Sequence, residues 1–457
     1  MKKRALLTAV VMALCTLLTG CFPWSAEDSY QLPKPPRDYE NLNAAVNKTR
    51  RELAVEFSAT VEDVPPSAGD NTSAVQLLDM DDDGVQETAV TFFRVVGAQE
   101  PLRICFFTQQ PDESYALTGE IKGEGDGIYA IHYADVDGIR HPVTDRARKE
   151  VVVSWQLGSQ ANYMGIYAVG DQGGQMLAAA VYDSYVLTDM DQNGLMEVAI
   201  GTMDRTTNTG KVTLYGWNTD EDIMTTQEVP LSTGATAIRN MRFNFVKDFS
   251  PALYVVSDLA DGSAAVDLVA VKGGQPTNLT LDSETLVSRE NSNNYRNLPL
   301  SDVNGDNVLE LHRPRQLNSY VNVDGAWLAD WVQYDARGRA STICTTYHCE
   351  VDGWYLVIPE HWQNRLVIYR NDTVSGQRTV VFALWQGEDK EPMPFLSIYR
   401  LTGASRSLRA TSGNRFILAE DSNTIYAASF YSTWNCGLDE NGLLENFRLI
   451  VSSWSGE

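Results

Sequence analysis

The chain runs to 457 residues, with 43% hydrophobic and 21% charged side chains. It is too long for one small core and too apolar for a disordered segment, so two globular domains are expected. A formal charge of −24, with 36 bases against 60 acids, repels phosphate backbones and argues against nucleic acid as a partner.

The N-terminus carries Lys2, Lys3 and Arg4, then an apolar run from Ala5 to Thr19 that is too short to span a bilayer comfortably. The run ends in Leu18-Thr19-Gly20-Cys21. This segment resembles the signal peptide and lipobox of bacterial lipoproteins, which implies loss of residues 1–20 and lipidation of Cys21. The expectation is an extracytoplasmic protein held by lipid on the outer face of the bacterial cell membrane; a diacyl group with an N-acyl chain suffices for stable attachment. Residues 21–56 read as a tether and short helix, the tether kept extended by Pro23, Pro33, Pro35 and Pro36.

Three acidic loops follow: Asp79-Met-Asp81-Asp-Asp83-Gly84-Val-Gln-Glu87, Asp189-Met-Asp191-Gln-Asn193-Gly194-Leu-Met-Glu197 and Asp302-Val-Asn304-Gly-Asp306-Asn-Val-Leu-Glu310. Each offers side-chain oxygens at its first, third, fifth and ninth positions. A hard cation such as Ca²⁺ takes about six to eight oxygens, and alternate residues of a tight loop can aim theirs at one point. Two weaker echoes lie between them. Asp135-Val-Asp137-Gly138 is followed, after an insertion, by Lys149-Glu150, and near Asp248 the acidic loop has gone. The series 79, 135, 189, 248, 302 advances in steps of 56, 54, 59 and 54, a spacing typical of stacked or radial units.

The flanking segments are β-branched and aromatic and are bounded by Gly, Asn and Asp, so they predict strands joined by tight turns. A helical calcium hand is excluded, because its twelfth position would fall on Val90, Ile200 and Arg313. The fold class expected is mainly β: a β-propeller over 57–340, with five visible repeats and five to seven blades, plus a C-terminal α+β domain over 345–457.

The nine-residue Asp-x-Asp-x-Asp-Gly-x-x-Glu pattern inside a hairpin resembles the FG-GAP/VCBS-type repeats of integrin-α-like propellers. That resemblance implies Ca²⁺ held by Asp79, Asp81, Asp83 and Glu87 with the Val85 carbonyl. It also implies a second set of Asp189, Asp191, Asn193, Glu197 and Leu195, and a third of Asp302, Asn304, Asp306, Glu310 and Val308. The third loop departs from the pattern, with Gly305 and Asn307 in place of a single Gly at its sixth position. The implied role of the metal is to staple blade hairpins. Such propellers mostly bind proteins or glycans, so a ligand of that kind is expected.

Beyond Tyr347 the period is lost. Strand-like runs continue, and the tail from Asp439 to Trp454 places Leu443, Phe447, Ile450 and Trp454 on one helical face. Trp354, Trp362, Trp385 and Trp434 are read as packing residues. Cys105 reads as a small core residue, while Cys344 and Cys349 are close enough in sequence to pair across a turn. His348 and His361 read as surface or turn residues. No zinc spacing, nucleophile elbow or phosphate loop appears. The reading is a non-catalytic binding protein. An extracytoplasmic hydrolase of glycans or esters and a structural envelope component stand as alternatives.

Overall fold

The computed structural model describes residues 37–139, 148–158, 161–170, 173–292, 300–318, 325–387 and 390–450. The segment 1–20, Cys21 and the tether up to residue 36 lie outside the described residues. No helix among the described residues is long and apolar enough to cross a membrane.

Helix α1 (Arg37–Glu56) buries Leu42, Val46, Thr49 and Leu53, a spacing of four, three and four that sets one stripe against the first sheet. Six antiparallel sheets follow in chain order. The first holds β1 (Val61–Asp63), β2 (Val75–Leu78), β3 (Thr88–Val95), β4 (Leu102–Gln109) and β5 (Tyr115–Gly123), with β1 and β2 sharing one edge of β3. The second is β6 (Gly127–Ala134), β7 (Glu150–Leu157), β8 (Ala161–Gly170) and β9 (Gly173–Tyr182). The third is β10 (Ser184–Thr188), β11 (Glu197–Asp204), β12 (Thr209–Asn218) and β13 (Ile223–Pro230). The fourth is β14 (Ala235–Phe245), β15 (Pro251–Leu259) and β16 (Ala264–Lys272), whose far edge takes β17 (Gln275–Asn278) and β18 (Asn291–Ser292). The fifth runs β19 (Leu311–Gln316), β20 (Trp327–Tyr334), β21 (Ala340–Cys349) and β22 (Trp354–Val357).

The sixth sheet contains β23 (Leu366–Arg370), β24 (Gln377–Leu384), β25 (Met393–Thr402), β26 (Phe416–Asp421) and β27 (Thr424–Phe430), with β27 between β25 and β26. Helix α2 (Arg406–Ala410) packs on it through Ala410, against Leu401 and Ile425. Helix α3 (Glu440–Asn446) leads into β28 (Phe447–Leu449), which returns to pair with β22 of the fifth sheet.

Inner strands such as β3, β4, β7 and β15 are apolar on both sides because their sheets are covered on both sides. In β4, Ile104 and Phe106 meet Val151 and Val153 of the second sheet, while Cys105 and Phe107 meet α1. In β15, Leu253 and Val255 face the third sheet, while Ala252 and Tyr254 face the fifth. Alternate side chains of one strand therefore belong to different cores. Backbone hydrogen bonds also tie one sheet to the next: Lys149 N–H donates to the Met80 carbonyl at 3.0 Å and Met196 N–H to the Asp135 carbonyl at 2.8 Å.

The fifth sheet breaks this rule. Leu311, Val332 and Tyr334 pack on the fourth sheet, and Leu328, Leu356 and Trp354 pack on the sixth. Leu328, Val332 and Tyr334 lie at even spacing on β20, so one face receives both neighbours. Between these seats the same face carries a polar strip. Its Arg313 pairs with Glu290, and its Arg315 pairs with Asp330 at 2.8 Å and donates to Gln363 at 3.1 Å.

Several expectations are corrected here. The domain boundary drawn at 340–345 falls inside β21, which pairs with β20 and β22. The tail helix stops at Asn446, because Phe447–Leu449 take the free edge of β22; Leu443 and Phe447 are buried as expected, but from a helix and a strand respectively. Trp454 lies outside the described residues. Cys344 and Cys349 sit five residues apart on one strand, on opposite faces, and cannot pair across a turn. Both thiols are free, as are those of Cys105 and Cys436. His348 is buried in β21, stacked on Tyr355 with ring centroids 5.0 Å apart, and is no surface residue.

Phe106, 2% exposed between the first two sheets, tests the shared-core arrangement. Phe106→Ala should cost about 3–5 kcal/mol of stability in denaturant titration.

Candidate metal centres

The acidic loops occupy one recurring position, the turn from an edge strand of a sheet into the strand beside it. Residues 79–87 join β2 to β3 and 189–197 join β10 to β11. Residues 302–310 are closed by a bridge between Ser301 and Glu310, so the first strand of the fifth sheet has shrunk to one residue ahead of β19. The corresponding turn of the fourth sheet, between β14 and β15, is a short reversal closed by Val246 N–H to the Ser250 carbonyl. Asp248 there accepts a hydrogen bond from Ala336 N–H and joins no acidic group.

Side-chain geometry within the loops repeats closely. The first aspartate caps the turn with both oxygens. Asp79 accepts from the N–H groups of Asp83 (3.0 Å) and Gly84 (2.7 Å), Asp189 from Asn193 (3.1 Å) and Gly194 (2.9 Å), and Asp302 from Asp306 (3.1 Å) and Asn307 (2.8 Å). The fifth side chain accepts from the seventh N–H: Val85 to Asp83, Leu195 to Asn193 and Val308 to Asp306. The ninth residue folds back onto the second N–H: Glu87 accepts from Met80 (3.1 Å), Glu197 from Met190 (2.7 Å) and Glu310 from Val303 (2.7 Å).

The backbone is left-handed at the fourth and sixth positions, with φ of 58° and 87° at Asp82 and Gly84, 61° and 91° at Gln192 and Gly194, and 80° and 65° at Gly305 and Asn307. The third loop has thus moved its glycine from the second of these positions to the first. Asparagine tolerates the vacated one better than most residues do.

These turns bring acids together. One ligand atom from each of Asp79, Asp81, Asp83 and Glu87 lies within 4.8 Å of the others, and the same holds for Asp189, Asp191 and Glu197 and for Asp302, Asp306 and Glu310. A fourth group, Asp135, Asp137 and Glu150, which the sequence offers only as a weaker echo outside the ligand sets, is gathered to the same limit. Glu150 accepts from Val136 N–H at 2.8 Å, as the other ninth-position glutamates do, although the insertion after Ile139 delays its arrival. The signal in the sequence was the strand that follows Glu150, which begins as β3 begins after Glu87. Gly138, with φ of 66°, stands where Asp82, Gln192 and Gly305 stand.

Electrostatics separate the four sites. Burial pushes Glu150 up to about 8, and burial with the adjacent aspartates pushes Glu197 and Glu310 to about 7. Against the desolvation that would raise it, the N–H groups of Gly84 and Asp83 and the ammonium of Lys149 hold Asp79 below the usual carboxylate range. Lys149 reaches from the second sheet to the Asp79 carbonyl and to Asp82, each at 2.9 Å. In the first loop the Glu87 Oε2 atom is buried without a hydrogen-bond partner, which suits a cation. In the third loop the Gln333 amide donates to Asp306 (2.7 Å) and Glu310 (2.6 Å), and the Asn304 amide also donates to Asp306. Those donors satisfy oxygens that a metal would otherwise take, so this loop is the poorest fit. A cavity of about 230 Å³ opens beside the 189–197 loop, where Trp217, Thr225 and Gln227 face Asp191, Asn193 and Glu197.

No protein-family model and no curated protein matches the chain. Among solved structures, a candidate 6-phosphogluconolactonase of Bacteroides fragilis is similar at 9% identity and a TM-score of 0.25, over 73% of this chain and 94% of that one. So loose a superposition carries no inference about chemistry.

Carboxyl groups raised by burial favour the protonated fold. Without a divalent cation, the stability they contribute is present near pH 4.5 and is lost as pH rises through about 7 to 8. Melting curves should show the cation-free protein losing stability between pH 5 and 8, with Ca²⁺ raising the melting temperature more at pH 8 than at pH 5.

Proposed function

We propose that this chain is a non-catalytic binding protein displayed outside the cytoplasm, tethered through lipid on Cys21 to the outer face of the bacterial cell membrane. Its first five sheets form a platform of the FG-GAP/VCBS propeller type, stiffened by Ca²⁺. The sixth sheet, from β23 onward, is an interaction module for a protein or glycan ligand.

One observation carries this reading: acids converge at the same hairpin position in four sheets. Catalytic acids are wanted once, in one cleft, whereas the same cluster in successive sheets is what a repeated structural ion requires. Each cluster, left bare, places like charges a few ångströms apart, and a divalent ion converts that repulsion into attraction. The first loop, with its unpartnered Glu87 oxygen, supports the assignment best.

Chelation of the secreted chain is the direct test. Each saturated site adds about 2.7 kcal/mol at a free ion concentration roughly a hundred times Kd, so removing Ca²⁺ should lower the melting temperature by several degrees. Glu87→Ala should abolish part of the calcium response. An unchanged melt in chelator overturns the calcium platform. Separately, Cys21→Ala should move the protein from the membrane fraction to the soluble one, and retention in the membrane fraction would refute the lipid anchor.

A further inference from the structure

The largest of the described cavities lies away from the acidic loops. It has a volume of about 610 Å³ and opens where the fifth sheet hands over to the sixth. Sites of this size, between two packed units, are where small ligands commonly seat. Its back wall is the stretch of β21 from Thr342 to Thr345, which pairs with β20 on one side and has no strand on the other, because β22 pairs only from Thr346 onward and leaves through Pro359. Ile343 is the extra residue of a bulge opposite Trp331 and Val332, and it lines the cavity together with Val357 and Ile358.

The polar floor is rigidly built. Arg315 lays its Nε and one terminal nitrogen on Asp330, at 2.8 and 3.0 Å, and Gln363 accepts from that same terminal nitrogen at 3.1 Å. The Thr345 hydroxyl donates to Asp330 at 2.6 Å. Hydrogen bonding and the Arg315 charge hold Asp330 below the usual carboxylate range, against its desolvation, so it stays ionised. The guanidinium and carboxylate cancel, and Glu360 at the rim adds a further negative charge. A phosphate or carboxylate ligand would find no uncompensated cation there. What remains is a fixed set of donors and acceptors, next to an aliphatic wall. Hydroxyl groups, which both donate and accept, match such a set, and ring C–H groups match the wall.

We propose that this cavity binds a neutral saccharide of one or two sugar units. The assignment extends the binding role given above and is independent of the calcium loops.

The test is calorimetric titration of the secreted chain with cellobiose, maltose and N,N′-diacetylchitobiose, each with calcium and with chelator. At least one should bind saturably in both conditions. Ile343→Trp, which fills the cavity, and the pair Gln363→Ala with Asn364→Ala should each weaken binding at least tenfold with an unchanged melting temperature. Asp330→Asn releases the Arg315 guanidinium, so it should lose saccharide binding and acquire binding of inorganic phosphate. If none of the three sugars binds, or if the unsubstituted protein binds phosphate in their place, the assignment is overturned. Saccharide binding that persists in chelator while the melting temperature does not respond to calcium would sustain this site and sink the calcium platform alone.

Discussion

A carboxylate bonded back across its own turn organises most of this molecule. Glu87, Glu150, Glu197 and Glu310 each accept the N–H of the second loop residue, and this closes the reversal between two strands while drawing the other acids inward. The hydrogen bond is partly shielded from water and satisfies a turn N–H that would otherwise lack a partner. It works against the mutual repulsion of the acids it assembles. The loops therefore gather charge in tight turns, and the apolar cores packed against the sheets hold them in that state.

The acidic loops were legible in the sequence because all their information is local. Nine residues carry the cap, the two left-handed positions and the closing glutamate, and nothing distant is needed to recognise them. The fourth cluster showed only as an echo because residues 140–149 separate Ile139 from Glu150, and a fixed nine-residue template cannot span that gap. The departure at Gly305 and Asn307 was visible, and its meaning emerged only from the dihedral angles, which place the two residues at the same pair of left-handed positions used by the other loops. Gln333 could not be found at all from sequence, since it arrives from a neighbouring strand to bond Asp306 and Glu310.

The misreadings share a cause. Leu443 and Phe447 fit a helical stripe, but an unfilled strand edge on β22 competed for Phe447 and won. Cys344 and Cys349 looked like partners by distance along the chain, and alternation along a strand sends them to opposite faces. His348 carried no sequence mark of burial; it is enclosed because β20 and β22 flank it, between Trp331 and Tyr355. In each case a long-range strand pairing decided what short-range pattern left open. The two-sided burial of β4 and β15 was readable as unbroken apolar runs. The double seat on one face of the fifth sheet was not, because alternation tells which residues share a side and not how many neighbours that side will hold.

The backbone bonds that run from one loop to the next have a consequence for how cations would load. Lys149 donates to Met80 from the residue just ahead of Glu150, and Met196 donates to Asp135 from the residue just ahead of Glu197. The carbonyl that anchors the approach to one closing glutamate thus belongs to the preceding loop. An ion in the 79–87 loop would fix the footing of the 135–150 cluster, and an ion there would fix that of the 189–197 loop. Occupancy along these three clusters would then be cooperative, with a binding isotherm steeper than that of independent sites and the sheets stiffening together over a narrow range of ion concentration.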